Sequence, residues 1–226
     1  MSGTEAGSEA RGALLIGVDG TLVDTNYHHA LAWYRSFRRS GVTLPLWRIH
    51  RSMGMGGDQL IAAVGGQGVE DECGDAIRAA EKEEYGKLIG EVQPLESAHD
   101  LLADLHTAGR CVVLASSAKR EETEHYLDLL DARGVVDGWT DSSDVRATKP
   151  EPDLICAALE KVGASTGTMI GDSVYDCIAA GRAGLPSLGL LTGGFSREEL
   201  REAGASDVFE TLAQLRRKLL PEARAQ

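Results

Sequence analysis

The chain has 226 residues, of which 42% are hydrophobic and 26% charged, a composition typical of a globular protein with a sizeable core. Its formal net charge is -12, which argues against nucleic acid and anionic membranes as partners, because both bind basic patches. The four cysteines lack Cys-x-x-Cys spacing and no apolar run is as long as a membrane span, so disulfide frameworks, zinc sites and transmembrane helices are not predicted.

The first segment, 1–12, is polar and rich in small residues. It has no apolar core behind a basic end, as a secretory signal would have. We expect this segment to be a disordered tail. We also expect the protein to be cytoplasmic, and a monomer or a homodimer.

After this tail, the chain alternates between two patterns. Short apolar runs that end in polar or glycine-rich turns predict strands at 13–18, 111–115, 168–170 and 187–191. Apolar residues at helical spacing predict helices between them. This alternation is typical of an α/β fold with a doubly wound, Rossmann-like parallel sheet. The ligand site of such a sheet lies beyond the carboxyl ends of its strands.

One segment, 26–92, lacks any strand pattern. Its apolar side chains follow helical spacing, as at Ala30, Trp33 and Phe37. We therefore predict an inserted α-helical cap domain of 26–92. The α/β core would then consist of 13–25 and 93–226.

Four chemically useful elements occur in a fixed order at the predicted strand ends or in the loops that follow. They are Asp19 in the sequence GVDGT, Ser116 after the second strand, Lys149 in TKPEPD, and Asp172 in GDS. Each alone is a common loop residue. Their order and placement together indicate a single site.

This ordered set resembles the haloacid dehalogenase superfamily, in the subgroup of phosphoglycolate phosphatases and β-phosphoglucomutases with a helical cap. The resemblance implies Mg²⁺-dependent hydrolysis of a small phosphorylated metabolite through an aspartyl-phosphate. It implies that Asp19 is the general acid/base and offers its carbonyl to Mg²⁺, which Asp172 ligates. Ser116 and Lys149 would bind the phosphoryl group. The supporting residues would be Gly20, Thr21, Ser173 and Asp176.

Gly17 departs from the family pattern, which places the nucleophilic Asp at this position. Glycine has neither an attacking oxygen nor a metal ligand. Three explanations are open: a variant of an active enzyme, a pseudoenzyme that binds a phosphorylated ligand, or slow direct attack by water. We expect the chain as written to be inactive or strongly impaired. Asp19 favours phosphate-ester chemistry over dehalogenation. It does not distinguish a phosphatase from a phosphomutase, which would use the same core.

The predicted cap offers further candidates for substrate contact. His28 and His29 open the first helix, and Arg51, Gly54 and Gly56 lie in a loop where this family places substrate-selecting residues. Glycine there would allow backbone N–H groups to approach an anion. The alternatives are a structural helix start for His28 and a plain interhelical turn for the loop.

Overall fold

The computed structural model describes residues 12–220, so the predicted disordered tail lies outside the described residues except for position 12. The described chain forms a six-stranded sheet in the order β3-β2-β1-β4-β5-β6, and all neighbouring strands are parallel. The strands are β1 (Ala13–Ile16), β2 (Val112–Ala115), β3 (Gly138–Thr140), β4 (Gly167–Gly171), β5 (Ser187–Leu190) and β6 (Ala205–Phe209). The predicted α/β class and parallel sheet are confirmed.

Strand β1 lies inside the sheet, between β2 and β4, and both of its faces are apolar. Leu14 and Ile16 pack into one hydrophobic cluster, and Ala13 and Leu15 pack into another on the opposite face. Alternate residues of a strand point to opposite faces, so a buried strand reads as a continuous apolar run. Burying each leucine contributes roughly 1.5–3 kcal/mol.

Helices cover both faces of the sheet and build the segment between β1 and β2. They are α1 (Asn26–Arg39), α2 (Leu46–His50), α3 (Gly57–Gly65), α4 (Gln67–Gly86), α5 (Ala98–Thr107), α6 (Arg120–Leu129), α7 (Asp153–Lys161), α8 (Val174–Arg182), α9 (Arg197–Glu202) and α10 (Leu212–Leu219). Across 12–220, none of the helices has the length and apolar character needed to cross a membrane.

The sequence patterns missed β3 and β6, the two edge strands. Only Thr140 of β3 is buried, and β6 mixes buried Ala205 and Val208 with an exposed Ser206. An edge strand is partly solvated, so it lacks the unbroken apolar run that reveals a central strand.

The helices α1 to α4 have a hydrophobic cluster of their own. In α1, Ala30, Trp33 and Phe37 share one buried face, as their helical spacing predicts. Arg38 and Arg39 occupy the last turn, where a cation interacts favourably with the helix dipole. The cluster consists of Ala30, Trp33, Phe37, Ile49, Met53, Leu60, Ile61, Val64 and Ile77.

Candidate active site

The predicted site residues meet where three adjacent strands end. In the register of the sheet, Ile16 of β1 lies opposite Leu114 of β2 and Ile170 of β4. The chain continues from these strand ends to Asp19, Ser116 and Asp172. The topology therefore brings these three residues to one edge of the sheet.

Lys149 reaches this edge from the loop before α7. Its ammonium donates to Asp176 Oδ1 at 2.7 Å, and both residues are buried. The other oxygen of Asp176 accepts from the N–H and hydroxyl of Ser173 at 3.1 and 2.6 Å. Burial alone lowers the pKa of Lys149, but Asp176 outweighs it and the pKa is raised. The lysine is therefore a fixed cation at the site.

Asp172 is a buried carboxylate held by one side chain from the loop after β1 and one from the start of α1. Thr21 Oγ1 donates to Oδ1 at 2.7 Å, and Asn26 Nδ2 donates to Oδ2 at 2.9 Å. A Cβ on Gly20 would lie 2.3 Å from Oδ2, and Gly20 has a φ of +69°. Only glycine fits both constraints. Burial, and then the charge of Asp176, raise the pKa of Asp172.

Asp19 faces the interior of the site and is held by α1 and the loop before it. Its Oδ1 accepts from Thr25 Oγ1 at 2.8 Å and lies 3.3 Å from His29 Nε2. Burial raises the pKa of Asp19, but the contacts with His29 and Thr25 outweigh it and the net pKa is lowered. Of the two histidines predicted near the site, His29 contacts Asp19, whereas His28 does not line the adjoining cavity.

His29 lies between two carboxylates. Its Nδ1 is 3.3 Å from Glu81, and its ring stacks on Tyr85 at 3.7 Å between centroids. Burial lowers the pKa of His29, but the contacts with Asp19 and Glu81 raise it by more, and the net pKa is about 10. Glu81 in turn accepts from Lys119 at 2.8 Å. The chain of contacts connects α1 and α4 to the loop after β2.

Gly17 is buried at the end of β1, and its N–H donates to Ile170 O at 2.8 Å. A Cβ at this position would lie 2.7 Å from Thr21 Oγ1 and 3.4 Å from Ile170 O. An Asp could occupy position 17 only if the hydroxyl of Thr21 moved. That hydroxyl is the one that donates to Asp172.

Ser116 is 1% exposed. Its Oγ accepts from the N–H of Ala118 at 3.1 Å. A hydroxyl that accepts a hydrogen bond retains its own proton as a donor. The following residues of the loop, from Ser117 to Lys119, line a cavity beside the site.

This cavity has a volume of about 310 Å³ and lies between the helical segment and the strand ends. Asp19 and Lys149 line the cavity, together with Trp33, Met53 and Arg146. The volume falls at the lower end of the range of about 300–1,000 Å³ typical of small-molecule pockets. The cavity can therefore hold a small substituent attached to a group bound at Lys149.

The other predicted cap residues join the helical segment to the sheet. Arg51 pairs with Glu199, and its guanidinium lies 4.2 Å from the ring centroid of Phe195. Gly54 packs against Ser173, where a Cβ would lie 2.3 Å from Oγ. The N–H of Gly56 donates to Thr148 Oγ1 at 3.1 Å. Both glycines border the cavity, but the Gly56 N–H is bound to protein.

Sequence reasoning missed several residues that surround these groups. Asn26, three residues before the predicted His29, lies on the same side of the first turn of α1 and donates to Asp172. Its helical spacing from His29 was the available signal. Gly193 follows β5, and a Cβ there would lie 2.2 Å from Asp172 Oδ2. Nothing in the local sequence indicates that contact.

Comparison with known proteins identifies the family of this chain. Residues 15–190 match the family model for haloacid dehalogenase-like hydrolases. The chain belongs to this haloacid dehalogenase-like hydrolase family. Among solved structures, it is similar to a hydrolase from Pseudomonas syringae, with 30% identity and a TM-score of 0.87. That alignment covers 94% of this chain and 100% of the other.

Two curated proteins are also similar along most of their length. The pyrophosphatase PpaX of Bacillus velezensis is 29% identical, over 79% of this chain and 82% of that protein. The phosphoglycolate phosphatase of Caulobacter vibrioides is 27% identical, over 86% and 84%.

The family implies Mg²⁺, and Asp172 is a carboxylate at the strand ends that could hold such an ion. Within the described range 12–220, no group of three or more His, Cys, Asp or Glu side chains could hold a metal ion. Asp172 still offers a buried carboxylate with a raised pKa, a group whose negative charge a cation would stabilise. Mg²⁺ prefers such hard oxygen ligands and retains waters where protein ligands are few.

Proposed function

We propose that this site is built to hydrolyse a small phosphomonoester through an aspartyl-phosphate at position 17. In this proposal, Gly17 leaves the chain as written without its attacking group. The observation that carries it is the buried Lys149–Asp176 pair, fixed at 2.7 Å beside Asp172 at the ends of three strands. A phosphoryl group in transfer spreads negative charge over its oxygens, and fixed cations and donors stabilise that charge.

The described side chains suit distinct parts of this reaction. Lys149 would neutralise a phosphoryl oxygen, and the hydroxyl of Ser116 would donate to another. Asp19 is ionised in this arrangement, since its pKa is lowered. It is therefore set up as the base that receives a proton from water when the phospho-enzyme is hydrolysed. Asp172 and the carbonyl of Asp19 would hold Mg²⁺, which when bound supplies positive charge to the phosphoryl oxygens.

The helical segment 26–92 would serve as a cap over this site. Its α1 and α3 contribute walls to the cavity, and it contacts the core through His29, Arg51 and Gly56. Closing such a site excludes water from the reacting groups. A small phosphorylated metabolite would occupy the cavity. Pyrophosphatase and phosphoglycolate phosphatase activities in relatives support a phosphate-ester or anhydride substrate class.

A second function is favoured by the packing around Gly17. Thr21 Oγ1 lies 2.7 Å from the place of a Cβ at this position, so the site is well packed with glycine. The chain as written would then bind a phosphorylated ligand without turning it over. A phosphomutase would use the same core and would return an isomeric phosphate instead of free phosphate.

The experiment is a comparison of the chain as written with its Gly17→Asp form across a panel of phosphomonoesters with Mg²⁺. We expect phosphate release only from the Gly17→Asp form. Isomerised sugar phosphate in place of free phosphate would identify a mutase. If the Gly17→Asp form is inactive on the whole panel while the chain as written binds panel members, the binding function replaces the catalytic one.

A further inference from the structure

The loop that carries Lys149 is held from outside the sheet by the helical segment. Asp58, the second residue of α3, accepts from the N–H of Thr148 at 3.0 Å through Oδ2. Its Oδ1 accepts from the hydroxyl of Thr148. Thr148 is 7% exposed and immediately precedes Lys149. Both oxygens of one carboxylate therefore bind the residue next to the lysine.

The backbone of Gly56, the residue before α3, approaches Thr148 closely enough to complete this contact. The N–H of Gly56 donates to Thr148 Oγ1 at 3.1 Å. A Cβ on Gly56 would lie 2.2 Å from that oxygen, so any other residue would push the two segments apart. Glycine at 56 is thus explained by close packing against Thr148.

On the far side of Lys149, the loop is held by Arg182, which donates to Pro150 O at 3.1 Å and to Glu151 at 2.6 Å. Between the short 3-10 helix Ser142–Asp144 and α7, Arg146 is exposed. The N–H of Glu151 donates to Thr148 O at 3.0 Å. Asp58 thus holds the loop on one side of Lys149, and the bond from Lys149 to Asp176 holds the ammonium itself.

We propose that Asp58 is a positioning residue: by holding Thr148, it fixes the position of the adjacent Lys149. The docking of the helical segment on the core then determines where the cation that meets the phosphoryl group lies. The catalytic consequence of this inference rests on the proposed function. Asp58 also borders the cavity, so direct contact with the substrate is the competing role, and the two roles predict different results.

The kinetic test uses the full chain in its Gly17→Asp form, with the further substitution Asp58→Asn or Thr148→Val. Each should lower kcat/KM by roughly ten-fold, the order expected for losing one or two hydrogen bonds. The loss should lie mainly in kcat. It should be the same for every phosphomonoester, because Lys149 acts on the phosphoryl group common to all of them.

Three comparisons make this result specific. Thr148→Ser keeps the hydroxyl and should retain activity. The double variant Asp58→Asn/Thr148→Val should lose less than the product of the two single losses, because both substitutions break the bond between the Asp58 carboxylate and the Thr148 hydroxyl. Asp71→Asn is the matched control, since Asp71 is an exposed carboxylate of α4 that accepts from Gln67. It should leave kcat/KM unchanged. A loss that varies with the leaving group, or an equal loss in the control, would overturn the positioning role.

Hydrogen exchange tests the contact in the chain as written, without any turnover. The amides of Thr148 and Glu151 should exchange faster in Asp58→Asn and Thr148→Val than in Thr148→Ser or Asp71→Asn. Unchanged exchange in the first two variants overturns the inference even if the Gly17→Asp form is active. Inactivity of the Gly17→Asp form on every ester counts against the proposed function, and against a catalytic role for Asp58, whatever the exchange shows.

Discussion

Restoring a carboxylate at position 17 should destabilise the protein when no metal is bound. The Cβ of any residue at 17 meets Thr21 Oγ1 at 2.7 Å, so the Thr21 hydroxyl must turn away. It then loses its bond to Asp172. Gly17→Asn introduces this steric change without a charge, and Gly17→Asp adds a second carboxylate beside Asp172. The two variants together separate packing from charge.

The magnitudes follow from these contacts. Leaving a buried acceptor without its donor costs about 1–3 kcal/mol, offset by about 0.4–1 kcal/mol because the unfolded chain loses freedom. The Asn form should thus lose about 1–2 kcal/mol. Two carboxylates roughly 4–5 Å apart repel by about 3–4 kcal/mol at an effective dielectric of about 20. Protonation of Asp172, whose pKa is already raised, relieves part of this repulsion.

The assay is thermal melting of the three forms in EDTA and in saturating Mg²⁺. At about 2–4 °C per kcal/mol for a chain of this size, the Asn form should melt a few degrees below the Gly17 form in EDTA. The Asp form should melt lowest, by about 10 °C. Mg²⁺ at 100 times its Kd adds about 2.7 kcal/mol and should raise the Asp form most. Equal melting of the Asp and Asn forms in EDTA would refute the charge-crowding argument.

Three further predictions concern the lysine, the metal and a histidine of the helical segment. Lys149→Gln leaves Asp176 buried without its counter-ion and should cost about 3–5 kcal/mol; an unchanged melting temperature would contradict the paired arrangement. The chain as written should bind Mg²⁺ more weakly by calorimetry than its Gly17→Asp form, and equal affinities would show that position 17 does not face the metal. Burial and the nearby Arg51 lower the pKa of His50, so the unfolded chain binds its proton more readily. Stability should be complete above about pH 6.5 and should fall as the pH drops below it. Urea unfolding at pH 5 and pH 7.5 should show a larger loss for the protein than for His50→Gln, and equal losses would contradict the prediction.

The central sheet was predictable because its strands are buried on both faces. Continuous apolar runs marked β1, β2, β4 and β5, and the polar residues that follow them identified the site edge. The edge strands β3 and β6 were not predictable in this way, since partial exposure removes the pattern.

The partners of the site residues could not be read from the sequence. Thr21 and Asn26 lie about 150 positions before Asp172, whose carboxylate they hold, and Asp58 lies 90 positions before Thr148. Local periodicity carries no information on such contacts, because they depend on how the helical segment docks on the sheet. The same docking decides that His29 faces Asp19.

The most direct test of the central claim compares kcat of the Gly17→Asp and Gly17→Asn forms on one good phosphomonoester with saturating Mg²⁺. The two side chains have nearly the same shape, and only Asp can attack phosphorus as a carboxylate. Loss of a covalent nucleophile has cost on the order of 10⁶ in kcat in an unrelated serine enzyme. We predict that the Asp form is faster by several orders of magnitude. Equal rates in the two forms would contradict the assignment of position 17 as the site of attack.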